Sequence, residues 1–114
     1  MADCIFCKII NKEIPATIVY EDDKILAFED INPQAPHHVL VIPREHIPTT
    51  NDLTPENSSL IGDMAYRAAQ IAKERSLDQE GYRLVMNCQE NAGQSVFHIH
   101  MHMLGGRSLQ WPPG

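Results

Sequence analysis

The 114-residue chain lacks the features of several large protein classes. No apolar run approaches the roughly 20 residues that span a membrane, and the first residues lack the basic and apolar stretches of a secretory signal. Basic residues are the minority, with 9 Lys and Arg against 15 Asp and Glu. That balance is the wrong sign for a protein that holds long nucleic acid through its phosphates. We therefore expect a cytoplasmic protein that binds neither nucleic acid nor a membrane.

Internal repeats, low-complexity tracts and linkers are also missing. The length is that of one compact domain, and 43% hydrophobic residues can build a core without disulfide bonds. We predict a single domain over residues 1–114, in which 107–114 is an extended arm because Pro112 and Pro113 exclude regular structure there. The single tryptophan, Trp111, lies on that arm and needs a surface to pack against, in its own domain or in a second subunit.

Apolar spacing predicts two helices and five strands. The first helix covers 4–10, and the second begins with Thr54 as N-cap and Pro55 in the first turn and runs to about Ser76. The strand candidates are 18–21, 25–29, 39–42, 82–87 and 96–104. Because most connections are too short for helical crossovers, we predict an α+β domain with a mainly antiparallel five-stranded sheet, one long helix and a short N-terminal helix.

Three of the six histidines lie in the last strand candidate, within Phe97-His98-Ile99-His100-Met101-His102-Met103. Side chains alternate between the two faces of a strand, so the three imidazoles share one face and the apolar residues between them fill the core face. Buried imidazoles each need hydrogen-bond partners, so packing alone does not explain them. The spacing leaves three interpretations open, namely a solvated face, a metal site, and catalysis by a neutral imidazole.

A small polar turn, Asn91-Ala92-Gly93-Gln94-Ser95, precedes the histidines. Such a turn can direct backbone N–H groups, the Gln amide and the Ser hydroxyl toward an oxyanion. An ordinary hairpin connection has a similar composition. Beside a histidine nucleophile, we interpret the turn as a phosphate-binding one.

The segment His98-Ile99-His100-Met101-His102-Met103-Leu104 resembles the His-φ-His-φ-His-φ-φ signature, with φ apolar, of the histidine triad (HIT) superfamily. The similarity extends over nearly the whole chain. Segments 30–36, 38–43, 93–96 and 104–107 and the Trp-Pro-Pro-Gly ending are similar to the Hint branch, the histidine triad nucleotide-binding proteins.

This resemblance implies a protomer that continues its sheet across a homodimer. It also implies binding of purine nucleoside monophosphates and hydrolysis of purine nucleoside 5′-phosphoramidates to a nucleotide and an amine. The chemistry agrees, because attack on phosphorus by a neutral imidazole requires no cofactor and a protonated nitrogen leaves readily.

The resemblance further implies roles for individual residues. His100 is the nucleophile and forms a nucleotidyl-histidine, His102 contacts the phosphate and helps to protonate the amine, and His38 extends the histidine chain. Asp30 accepts the ribose hydroxyls. The phosphate contacts are Asn87, Gly93, Gln94 and Ser95. The residues that sandwich the base are Ile5, Phe6, Ile9, Phe28, Ile31 and Leu40, and Trp111 of the arm crosses to the partner's substrate.

Cys4-Ile5-Phe6-Cys7 has the spacing of two zinc ligands. A redox motif of the same spacing follows a strand, and no strand candidate precedes Cys4. Some bacterial HIT proteins that resemble this pattern hold a structural zinc with two Cys and two His, which makes His46 and His98 the remaining candidate ligands. We expect a structural zinc, with buried thiols as the alternative.

Three other functions stay open. The chain is also consistent with a nucleotide-binding or scaffold module in which hydrolysis is incidental, with a metallohydrolase that uses an active-site zinc, and with a dinucleotide polyphosphate hydrolase of the same superfamily. By resemblance, Ser95 and the Trp-Pro-Pro-Gly ending favour the Hint assignment over the last of these.

Overall fold

A five-stranded antiparallel sheet is the frame of the structure. The computed structural model describes residues 3–114, so Met1 and Ala2 of the predicted domain lie outside the described residues. The strands are β1 (Ile18–Glu21), β2 (Ile25–Glu29), β3 (His37–Pro43), β4 (Tyr82–Val85) and β5 (Met101–Gly105), in the order β1-β2-β3-β5-β4 across the sheet. The helices are α1 (Ile5–Ile10) and α2 (Ser59–Glu74), and 3₁₀ turns cover Thr50–Asp52 and Glu90–Ala92. The α+β prediction is confirmed.

Short-range hydrogen bonds explain the first elements. Asp22 closes the hairpin between β1 and β2, because its Oδ1 accepts from the backbone N–H groups of Lys24 and Ile25 at 2.8 Å each. Cys4 is the N-cap of α1, and its Sγ accepts from the backbone N–H of Cys7. The observed bounds of β1 and β2 are the predicted ones.

The two faces of the sheet bury separate apolar clusters. Helix α2 packs on one face, over alternate residues of β2, β3 and β5 that include Val39, Val41 and Met103. The opposite face carries the second cluster, which consists of Phe6, Ile9, Leu26, Phe28, Leu40 and Ile42. Helix α1 has 6 residues and covers only part of this second face. His38 and His102 alternate with the helix-facing residues, so they lie on the face that α1 leaves partly open.

The predicted start of the long helix was wrong. Residues 55–58 form turns, and Oδ1 of Asn57 accepts from the backbone N–H of Thr54 at 2.7 Å. The backbone N–H groups of Leu60 and Ile61 donate to the carbonyls three residues earlier and not four, so the regular α-helical ladder of α2 begins only at Ser59.

The predicted last strand was also too long. Strand β5 begins at Met101, because the backbone N–H of Ile99 donates to the carbonyl of Ile47, outside the sheet ladder, at 2.8 Å. Alternation therefore fails over 97–100, where Phe97, predicted to be core, is 45% exposed. His98, Ile99 and His100 are all buried instead. Strand β4 likewise ends at Val85, before the predicted end at 87.

The C-terminal segment 107–114 contains neither helix nor strand. The guanidinium of Arg83 in β4 donates to the carbonyl of Gln110 at 2.8 Å, and Nε of Arg107 donates to the carbonyl of Gln34 at 3.0 Å. These two bonds hold the segment against the domain, while Trp111 is 82% exposed. No helix within residues 3–114 has both the length and the apolar character needed to cross a membrane.

Two glycines give a matched test of this fold. Gly106 has φ +94°, and a Cβ there would lie 2.9 Å from Cβ of Pro36, so Gly106→Ala is expected to lower the free energy of unfolding by about 1–3 kcal/mol. Gly62 lies in α2 with no atom within 4 Å of such a Cβ, so Gly62→Ala is expected to raise that free energy by up to about 1 kcal/mol. Urea denaturation measures both, and a shift of the same sign in the two variants would contradict the assignment.

Candidate active site

A chain of hydrogen bonds determines which nitrogen of His102 carries a proton. The backbone N–H of Gln34 donates to Nδ1 of His38 at 3.0 Å, so the neutral His38 ring holds its proton on Nε2. That Nε2 lies 2.8 Å from Nδ1 of His102 and donates to it. We therefore assign the His102 proton to Nε2. Asp30 lies beside these hydrogen-bonded rings, and its Oδ2 is 3.4 Å from Nε2 of His38.

The neighbouring ring of His100 has the opposite arrangement. Its Nδ1 lies 2.9 Å from the backbone oxygen of His98, and because a carbonyl oxygen only accepts, Nδ1 carries the proton. The lone pair of His100 is therefore on Nε2. The ring centroids of His100 and His102 are 5.0 Å apart. An electron-pair donor and a proton donor thus stand side by side.

Burial keeps the histidines of the site neutral. It lowers the pKa of His100 and of His38, and it lowers the pKa of His102 to about 4, with a further contribution from the adjacent imidazoles. Neutral rings are what the assigned proton positions require. A neutral His100 also keeps the electron pair that attack on phosphorus would use.

The predicted base contacts divide into buried and exposed residues. Phe6, Ile9, Phe28 and Leu40 are buried, and the Phe6 ring meets His100 edge-on with centroids 5.1 Å apart. Ile5 and Ile31 are 47% and 98% exposed. Core packing does not account for such exposed apolar side chains, so they are accessible to a ligand.

The predicted phosphate contacts differ in whether their polar groups are already used within the protein. Ser95 is exposed and Asn87 is half-buried. The backbone N–H of Gly93 donates to the carbonyl of Glu90 at 2.9 Å, which closes the turn. The side-chain amide of Gln94 is used entirely by backbone groups. Asn87 and Ser95 are therefore the members whose side chains are available to an anion.

Four further side chains converge where α1 begins, and their ligand atoms lie within 4.8 Å of one another: Cys4, Cys7, His46 and His98. Nδ1 of His98 lies 3.5 Å from Sγ of Cys4 and 3.2 Å from Nδ1 of His46. Sγ of Cys7 is 3.4 Å from Nδ1 of His46. Tetrahedral zinc with Zn–S of about 2.3 Å and Zn–N of about 2.0–2.1 Å separates its ligands by about 3.3–3.8 Å. The four residues fit zinc.

The proton positions agree with this fit. Nε2 of His98 donates to the carbonyl of Pro43 at 2.8 Å, so the lone pair of Nδ1 is directed into the group. Burial and the neighbouring Cys4 raise the pKa of the Cys7 thiol to about 11. A divalent cation among these residues would reverse that effect, since zinc deprotonates its thiol ligands.

Asp30, His38 and His102 also bring ligand atoms within 4.8 Å of one another. A metal bound at Nε2 of His38 would need a lone pair there, but the N–H of Gln34 uses the lone pair of Nδ1 and leaves the proton on Nε2. This second group fits a proton-donating chain and does not fit a metal centre.

Known proteins resemble this chain over almost its entire length. The family model described as "Scavenger mRNA decapping enzyme C-term binding" matches residues 3–110. A purine nucleoside phosphoramidase of Escherichia coli K12 is 52% identical over 107 residues, which cover 94% of this chain and 90% of the relative. The chain belongs to the histidine triad (HIT) family. A HIT family hydrolase structure from Legionella pneumophila matches with a TM-score of 0.96 and 53% identity, over 98% of this chain and 100% of that chain.

A second structural match is nearly as extensive. A histidine triad protein from Clostridium difficile has a TM-score of 0.93 and 45% identity, over 96% of each chain. The HIT resemblance expected from the sequence is confirmed. Relatives named as hydrolases support a hydrolase activity for this HIT protein.

Two groups that organise the HIT site were not predicted from the sequence. The backbone N–H of Gln34 orients His38, and the carbonyl of Pro43 orients His98. Every residue has a backbone carbonyl and every residue except proline has a backbone N–H, so residue type rarely signals such a contact. The nearest sequence signal is the proline-containing loop 30–36, which places the Gln34 amide beside β3.

Buried neutral histidines should make the protein less stable in mild acid. In the unfolded chain histidine binds a proton near pH 6.5, whereas the pKa of His102 in the folded protein is about 4. Between these values the unfolded chain binds more protons, so the free energy of unfolding falls as the pH decreases from about 6.5 to about 4 and does not change through this group above that window.

Urea denaturation across this pH range measures the effect. His102→Gln keeps an oxygen that accepts from His38 but cannot titrate, so its stability should decline less steeply with acid than that of the wild type. Identical slopes for the two proteins would contradict the buried, neutral state of His102.

Proposed function

We propose that this HIT protein hydrolyses purine nucleoside 5′-phosphoramidates to a nucleoside monophosphate and an amine, through a covalent nucleotidyl-histidine on His100. The observation that carries the proposal is the opposite proton arrangement of two adjacent rings. Nε2 of His100 offers an electron pair, and Nε2 of His102 offers a proton. The relative named purine nucleoside phosphoramidase supports this substrate class.

In the first step, Nε2 of His100 bonds to the α-phosphorus and the P–N bond breaks. The departing nitrogen takes the Nε2 proton of His102 and leaves as a neutral amine, while a proton from solvent replaces it on Nε2, so the His102 and His38 pair stays neutral. The ring of His100 becomes cationic when it bonds to phosphorus. The 2.8 Å bond between His38 and His102 keeps Nε2 of His102 as the nitrogen that carries the proton.

In the second step, water attacks the same phosphorus and the bond to His100 breaks. The proton of that water passes to solvent and replaces the one taken up in the first step, which restores the starting state. The polar side chains of Asn87 and Ser95 would donate to the phosphate oxygens. Asp30 would accept from the ribose, and the exposed Ile5 and Ile31 would flank the purine. The net reaction consumes one water and needs no cofactor.

The test is turnover of adenosine 5′-phosphoramidate by wild type and His100→Ala, with and without EDTA. Loss of the nucleophile should lower kcat by on the order of 10³-fold or more, and the wild type should be insensitive to EDTA during the assay. His37→Ala is the matched control, because His37 contacts Arg75 and lies outside the proposed reaction.

Three other outcomes of this experiment would contradict the proposal. Full activity of His100→Ala would refute the covalent mechanism. Activity that requires added metal would favour a metallohydrolase. A wild type that binds AMP but releases no amine would favour a nucleotide-binding module.

We also propose that Cys4, Cys7, His46 and His98 hold a structural zinc ion. The fit of their separations to tetrahedral coordination supports this. Zinc bound there would connect the start of α1 to His98, whose carbonyl fixes the His100 ring. The ion would supply stability and no step of the reaction.

Cobalt substitution tests the zinc proposal without an activity measurement. Co²⁺ bound by two thiolates should give a sulfur-to-metal absorption band, and Cys7→Ser should weaken metal binding by more than the roughly 10–100-fold typical of lost outer-shell partners. Cys88→Ser is the matched control, since Cys88 lies outside the group. A Co²⁺ spectrum without that band, or one that Cys88→Ser removes, would contradict the ligand set.

We propose, finally, that a second copy of the chain covers β4. This strand is at the edge of the sheet, and Leu84 on it is exposed. Unpaired edges and large exposed apolar side chains are features of association surfaces. Pairing of β4 with its copy would continue the sheet across a homodimer and give the exposed Trp111 a surface to contact.

A further inference from the structure

Gln94 is a buried polar residue with no side-chain atom available to a ligand. It is 5% exposed. Its Nε2 donates to the carbonyl of Pro48 at 2.8 Å and to that of Val96 at 3.1 Å, and its Oε1 accepts from the backbone N–H of Gln89 at 2.8 Å. Both amide protons and the oxygen are therefore used by the backbone.

We infer that Gln94 is a positioning residue, which holds the turn 87–96 so that Asn87 and Ser95 face the phosphate, and does not itself contact phosphate. The inference rests on the proposed function. The sequence predicts a direct phosphate contact for Gln94, whereas both protons of its side-chain amide are used by backbone carbonyls. The three side-chain hydrogen bonds of Gln94 support this role, because they connect the turn to itself and to the segment 46–48.

The first hydrogen bond, from the backbone N–H of Gln89 to Oε1 of Gln94, connects two residues within the turn 87–96. Gln89 has φ +74° and ψ 174°, a backbone conformation that favours glycine. The side chain of Gln94 accepts from the N–H of Gln89, and the backbone N–H of Gln94 donates to the carbonyl of Gln89 at 3.2 Å. This reciprocal pair holds Gln89 in its unfavourable conformation and fixes the path of the chain between Asn87 and Ser95.

The second bond anchors the turn to the segment 46–48. Pro48 accepts from Gln94, the carbonyl of Ile47 accepts from the N–H of Ile99 at 2.8 Å, and Nδ1 of His46 lies 3.2 Å from that of His98. The phosphate turn and the histidine segment are thereby attached to the same three residues. Loss of the Gln94 amide releases the turn while the histidines remain anchored.

Gln94→Met tests this, because methionine has a similar length and makes no such hydrogen bonds. We expect the Kd of AMP to rise on the order of tenfold, which corresponds to the loss of roughly one phosphate hydrogen bond. The Kd of adenosine, which has no phosphate, should stay unchanged. For adenosine 5′-phosphoramidate, kcat/KM should fall, and isothermal titration with both ligands gives the comparison.

The matched control is Ile71→Ala, which opens a cavity under α2 on the other face of the sheet. This variant should lower the melting temperature, and it should not change the Kd of AMP relative to the Kd of adenosine. A second variant, Gln94→Glu, serves if the methionine variant does not fold. Its protonated carboxyl group accepts from Gln89 and donates to one carbonyl, so its AMP affinity relative to wild type should recover as the pH is lowered from about 8 to about 5.

The outcomes separate the inference from the proposed function. A wild type that binds no AMP overturns both. A wild type that binds AMP, with equal AMP affinity in Gln94→Met, overturns the positioning role alone. An equal loss of AMP and adenosine binding shows a purely structural role and also overturns it.

Discussion

The hydrogen bond from Nδ1 of His100 to the carbonyl of His98, 2.9 Å long, is the contact on which the rest of the site depends. It directs the proton of the His100 ring away from the substrate side and leaves Nε2 with its electron pair. The direction of that carbonyl is fixed by the N–H of the same peptide group, which belongs to Ile99 and donates to the carbonyl of Ile47 at 2.8 Å. The proposed nucleophile, His100, and the candidate zinc ligand His98 are thus two residues apart, and the backbone carbonyl of His98 orients the ring of His100.

Two pairs of histidines meet at this segment, and opposite kinds of backbone group orient them. His98 and His100 are fixed by carbonyl oxygens, which accept, so each keeps a lone pair on its other nitrogen. His38 is fixed by an amide N–H, which donates, so the proton is passed forward to His102. Lone pairs therefore face the candidate metal site and the proposed position of the phosphorus, and a proton faces the proposed leaving group. Backbone groups alone determine this difference.

The sequence was sufficient for the strands and for the histidine triad, and it failed where tertiary contacts override local pattern. Strands β1 and β2 were predicted because their alternation and turn chemistry are local. The segment 97–100 has a strand pattern but is not a strand, because Ile99 bonds to Ile47, a residue that is distant in the sequence. The roles of Gln94 and Gln34 were out of reach for the same reason, since each depends on the backbone of another segment.

The acidic composition of the chain is compatible with an anionic ligand because the site uses neutral donors. The net charge is −6, and burial keeps the imidazoles uncharged at neutral pH. In the proposed reaction, fixed N–H and O–H dipoles in a partly buried site would stabilise the negative charge on the phosphate oxygens without reorganising. A lysine or arginine in their place would bind substrate and product alike, whereas the ordered imidazoles act on the group that is transferred. For the proposed reaction, the arrangement would therefore favour turnover over retention of the nucleotide.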